Sequence, residues 1–138
     1  MIALVLLSAA LAAPATGAGP APAVPPLAPP VETIERDPLE IRALVEPEAV
    51  LREIKPALRA ARLANDERRI ALLQLARANA CRVIADWSCQ REAGAAAQEA
   101  ARAAGEPHLQ VRGLINEGRA RAAMQDNTRA ERLFGEAE

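Results

Sequence analysis

The chain of 138 residues carries seventeen basic and eighteen acidic side chains, a formal net charge of −1, and only two aromatic residues, Trp87 and Phe134. That balance argues against the basic footprint of a nucleic-acid-binding protein. The scarcity of Val, Ile, Thr, Tyr and Phe beyond residue 50 argues against an all-β fold. The abundant alanines bury little area each, at roughly 25 cal/mol per Å², so the expected class is all-α with closely packed helices.

Met1–Ala13, MIALVLLSAALAA, is a nearly continuous apolar run without charge. It is shorter than the roughly 20 residues of a transmembrane helix and fits the core of a secretory signal peptide. Small residues at Ala13-Pro14-Ala15 and Thr16-Gly17-Ala18 offer cleavage sites, although no Lys or Arg precedes Arg36. The expectation is a signal peptide over 1–18 and a periplasmic or secreted product, with no membrane insertion after cleavage. Seven of the eleven prolines fall in Pro14–Pro30. Proline removes donors and favours extended backbone, so 19–36 reads as a Pro/Ala-rich linker and 37–138 as the helical domain.

Asp37-Pro38 forms a helix start, with Glu40 three residues after the cap and Leu39, Ile41, Leu44 and Val45 as an apolar stripe. Pro47 starts another helix. Pro56 is expected to bend or break it, with helix resuming over 57–63. After a corner at Asn65-Asp66, Ile70, Leu73, Ala76, Ala80, Val83, Ile84 and Trp87 recur at helical steps, which predicts a helix from Glu67 to about Trp87. Ser88 is the candidate cap of an alanine-rich helix stopped by Gly105. Glu106-Pro107 begins the next helix, which ends at a corner over Gln125–Asn127, and a last helix follows.

Cys81 and Cys89 are the only cysteines. On one continuous helix eight residues rise ~12 Å, beyond the ~7 Å span of bridged Cα atoms. A disulfide therefore requires the helix to end near Trp87-Ser88; otherwise both thiols are buried. His108 is a lone histidine with no Cys or carboxylate cluster nearby, so no metal site is expected. Ser88 has no nearby histidine base, and the carboxylates are dispersed among arginines as solvated faces. No catalytic residue and no cofactor is expected.

Gly118, Ala130, Phe134 and Ala137 stand where a tetratricopeptide (TPR) repeat places its small residues and its aromatic, with Asp126 at the acidic corner. A shift of 34 residues sets Trp87 over Arg121, Ala96 over Ala130, Ala100 over Phe134 and Ala103 over Ala137. Over about 70–138 the chain thus resembles TPR repeats. That resemblance implies antiparallel helix pairs stacked as a solenoid, with Phe134 and Ala137 facing a further neighbour. It also implies a protein or peptide partner held along the first helix of each unit, where Arg77, Arg119 and Arg121 would meet acidic groups. Two departures are visible: Arg121 stands where an aromatic is usual, and Ala100 where a large apolar residue is usual. The layout of signal peptide, linker and helices, with ANACRVIADWSCQREAG at its centre, also resembles the periplasmic input region of GGDEF-type diguanylate cyclases. The resemblance implies a segment of a larger bacterial signalling protein, with any enzyme activity beyond residue 138.

Overall fold

In a computed structural model, residues 36–138 are described, together with Gly17, Gly19 and Ala23. Apart from those three glycine and alanine positions and Arg36, the expected signal peptide and linker lie outside the described residues. Six α-helices follow: α1 (Pro38–Arg42), α2 (Pro47–Leu63), α3 (Glu67–Val83), α4 (Trp87–Ala104), α5 (Pro107–Ala123) and α6 (Asn127–Glu136). No strand occurs among the described residues. The all-α class holds.

The helices are separated by corners of one design. Asn65, Ala85, Gly105 and Gln125, each twenty residues after the last, have positive φ of 52°, 58°, 69° and 63°. The amide of the next residue then donates five residues back, from Asp66, Asp86, Glu106 and Asp126 to the carbonyls of Ala61, Cys81, Ala101 and Arg121 at 2.9–3.0 Å. That bond closes the end of one helix in a left-handed cap. The same acidic residue is the N-cap of the next helix. The Asp66 and Asp86 side chains accept from the Arg69 and Cys89 amides at 2.9 and 3.0 Å.

This rhythm sets forty residues per helix pair rather than 34. Under it Trp87 corresponds to Pro47 and Asn127, each the first residue of a helix, and not to Arg121. The shorter shift matched alanines, which repeat at helical spacing in any close-packed bundle. It did not register the corners, where the chain direction is decided.

Four local expectations change. The third helix ends at Val83, and Asp86 rather than Ser88 caps α4, because Asp86 holds the corner's acidic position. Trp87 is half-buried at the helix start instead of lying in the core. Helix α2 runs through Pro56 without interruption. Pro56 and Arg52 are both exposed, so the carbonyl deprived of its donor is on the solvated side and can be hydrated. In α1 the apolar stripe is reversed: Ile41, Leu44 and Val45 are exposed, while Glu40 and Ala43 are buried. Glu40 does not fold back on the helix start. Its Oε1 accepts from Asn79 Nδ2 of α3 at 3.0 Å and from Arg112 Nη2 of α5. The pairing of Asp37 with Arg69 adds a second anchor between the α1 start and α3.

Packing falls into two rows. α3 touches both α1 and α5, and each even-numbered helix packs on its odd-numbered neighbours, whereas no Cα of α2 comes within 8 Å of α4. The core is built of Val50, Ile54, Leu58, Leu72, Leu73, Leu75 and Leu109 with a series of fully buried alanines. At the α4–α5 crossing even alanine is too large. A Cβ on Gly94 would lie 2.7 Å from the Glu117 amide nitrogen and 3.0 Å from the Gly113 carbonyl oxygen. One on Gly113 would lie 2.9 Å from the Gln98 nitrogen. Ala130 is buried where α6 meets α5. The Phe134 ring lies over Gly118, where a Cβ would come within 2.7 Å of it, and the residue remains 36% exposed. Ala137 is the C-cap residue after α6.

Cys81 and Cys89 form a disulfide across the α3–α4 corner, with Cα atoms 5.7 Å apart. The end of α3 at Val83 makes that approach available. The bridge spans Ala85, whose left-handed backbone costs a side-chain-bearing residue roughly 1–2 kcal/mol. Bridge and Asp86 cap together fix a corner that lacks the glycine used at Gly105.

Candidate functional site

Because α2 and α4 do not touch, a groove is left between them, floored by α3. Along α2 it is lined by Leu51, Ile54, Lys55, Leu58, Arg59, Arg62 and Leu63; Arg77 of α3 and Cys89 of α4 complete it, enclosing about 760 Å³. That volume lies within the range of built ligand sites, roughly 300–1,000 Å³. The α2 residues fall at steps of three and four, the spacing of one helical face. Ile54 and Leu58 are buried against α3, while Leu63 remains 82% exposed at the groove's end.

The electrostatics are one-sided. Lys55, Arg59 and Arg62 are exposed and have no ion-pair partner among the described residues. Arg77 reaches Glu92 of α4 only at 3.8 Å. Cations on long aliphatic stems beside leucines give an amphipathic wall: the stems extend the apolar strip and the charges stand at its rim. Such a wall suits a segment that alternates apolar and acidic residues. No nucleophile with an adjacent base lies in the groove, since Cys89 is oxidised in the bridge.

The three arginines expected to meet a partner do not converge. Arg77 is in this groove. Arg119 is exposed on a separate cleft beside α1 and α3. Arg121 is turned toward its own corner, with Nη2 2.8 Å from Glu117 Oε1 and Nη1 3.2 Å from Asp126 Oδ2. Its place at the end of α5 explains this, because the acidic cap of α6 stands within reach. Arg121 is a corner clamp.

Lys55, Arg59 and Arg62 were not among the expected site residues. Their interleaving with Leu51, Leu58 and Leu63 was the available signal, and the expected break at Pro56 cut that stripe in two. His108 lies in the first turn of α5 with Nδ1 3.3 Å from Glu106 Oε2. Among the described residues no three His, Cys, Asp or Glu side chains are grouped to hold a metal ion. No helix there is long and apolar enough to cross a membrane.

No family model, curated protein or solved structure matches this chain.

Proposed function

We propose that residues 37–138 are an exported, TPR-like module of helix pairs that binds an acidic, amphipathic helix of a partner protein in the α2–α4 groove. The observation that carries this reading is the groove itself, an apolar strip between two helices that do not touch, rimmed by Lys55, Arg59 and Arg62, which have no ion-pair partner among the described residues, and by Arg77, which reaches Glu92 only at 3.8 Å. A helix laid in such a groove buries apolar anchors at i, i+3 or i+4, and i+7. Glu or Asp between the anchors would meet Lys55, Arg59, Arg62 and Arg77. The two-row packing supports the repeat reading, with forty residues per pair in place of 34. The Cys81–Cys89 bridge supports export, since structural disulfides persist in oxidising compartments. The role as the input region of a larger signalling protein rests on the likeness of layout alone.

Panning a random peptide library on the full chain tests the proposal. Recovered peptides should alternate leucine-type residues with Glu or Asp at helical spacing. Their binding should be lost in the Arg59→Glu, Arg62→Glu variant, whose two exposed sites should change stability by no more than about 0.5 kcal/mol each. Basic or featureless peptides, or binding indifferent to the charge reversal, would sink the assignment.

A further inference from the structure

The second cleft has a different character. It is lined by Arg36 just before α1, Arg82 in the last turn of α3, Arg112 and Arg119 on α5, and Glu40, and it encloses about 310 Å³. Four guanidinium groups against one carboxylate leave a local net charge of +3, in a chain whose formal charge is −1. The one carboxylate is already engaged: Glu40 is buried and accepts from Asn79 and Arg112. Arg36, Arg82 and Arg119 are exposed and have no ion pair among the described residues. This sets them apart from Arg42, Arg68, Arg69, Arg121, Arg129 and Arg132, each of which faces a carboxylate within 4 Å.

We infer that this cleft binds a small, multiply charged oxyanion, a compound bearing two or more carboxylate or phosphoryl groups. The guanidinium fork matches either group with paired N–H donors. Asn79 and Asn116 each spend one Nδ2 hydrogen, on Glu40 and on the Arg112 carbonyl, so each has at most one further amide donor to offer. Recognition rests mainly on charge and fork geometry. Arg112 is already held by Glu40, so the anion would meet Arg36, Arg82 and Arg119, which come from three separate segments of the chain and suit two anionic groups on one skeleton better than a single ion. Leu44 and Ile115 supply apolar wall for that skeleton. The volume is at the lower end of small-molecule sites, roughly 300 Å³, and too small for a folded partner.

Isothermal titration of the full chain with citrate, pyrophosphate and acetate at about 150 mM salt, where screening acts over about 8 Å, decides the matter. Citrate or pyrophosphate should bind and acetate should not; which of the two binds tighter distinguishes carboxylate from phosphoryl recognition. Arg82→Gln and Arg119→Gln should each weaken binding by about tenfold, the size of one lost charge-assisted hydrogen-bond set. Arg129→Gln, outside the cleft, should leave it unchanged. The inference is overturned if neither polyanion binds more tightly than acetate. It is equally overturned if folded Arg82→Gln and Arg119→Gln chains, checked by circular dichroism, bind as the parent does.

Discussion

The α4–α5 crossing and the α2–α4 flank share one helix, α4, yet one is shut and the other open. At the crossing Gly94 faces Gly113, with Ala93, Ala97 and Ala101 buried around it, so backbone approaches backbone. At the flank α2 presents Leu51, Lys55, Arg59 and Arg62 to a gap that α4 does not close. Side-chain size decides the difference. Small residues allow helix axes to approach closely and gain dispersion contacts from both backbones. Long charged side chains hold the next helix away and keep their charges in water. The small residues of α4 and α5 thus close one crossing, while the long charged side chains of α2 leave the adjoining flank open.

Filling the crossing should break this arrangement most severely. Gly94→Val would drive a branched side chain into the Glu117 amide, and we expect a loss of about 3 kcal/mol, the upper range for overpacking, measured as a fall in the urea midpoint. An unchanged midpoint would mean that the crossing is looser than described. Next in size is the bridge beside the groove. Reducing Cys81–Cys89 in the intact chain should cost about 2.5 kcal/mol by loop-closure entropy for so short a loop. Because Cys89 lines the groove, peptide affinity should fall as well; retained affinity would separate groove from bridge. Ala130→Phe sharpens the rule at a terminal crossing, where α6 packs on α5 alone. It should cost about 1–2 kcal/mol by thermal denaturation, less than Gly94→Val because α6 can shift outward.

The smallest effect lies at the exposed rim. Arg42 of α1 donates to both carboxylate oxygens of Glu53 on α2, at 2.8 and 2.9 Å. That hydrogen bonding holds the Glu53 carboxyl below the usual carboxylate range and pushes the Arg42 guanidinium up. Since the folded-state value is depressed, the pair's contribution is present above the unfolded carboxylate value of about 4.3 and is lost as pH falls through the folded value. Glu53→Gln should therefore cost slightly more at about pH 7 than at about pH 3, in paired urea titrations. Both side chains are solvated, so the change should be near the limit of detection. A large loss at neutral pH would show that α1 is held on by this pair rather than by Glu40 and Asp37.

Much of the fold was legible because helix signals are local. Asp37-Pro38, Asn65-Asp66, Gly105, Glu106-Pro107 and Gln125–Asn127 each mark a boundary by capping chemistry that needs no distant contact. Alanine content and the scarcity of β-formers beyond residue 50 determined the all-α class in the same way. Where side chains of equal local standing compete, sequence could not choose. Ser88 and Asp86 are both good caps, and only the αL turn at Ala85 selects Asp86. Ala85 itself gave no warning, because a left-handed alanine is held there by the bridge and the packed helices on either side.

The candidate site was less legible still. Arg77, Arg119 and Arg121 are alike in sequence, yet they end in a groove, on a separate cleft and in a corner clamp. The sequence by itself determined the helices, their order and most of their ends, since these follow from backbone donors, caps and small residues within a few positions. Tertiary structure alone decided that Glu40 is buried, that Ile41 and Val45 are not, and that α2 and α4 stay apart. Each of those outcomes depends on which residues meet across tens of positions in the chain: Asn79 and Arg112 on Glu40, and Gly94 on Gly113. Pairings at that distance are fixed by packing rather than by any local preference of the backbone.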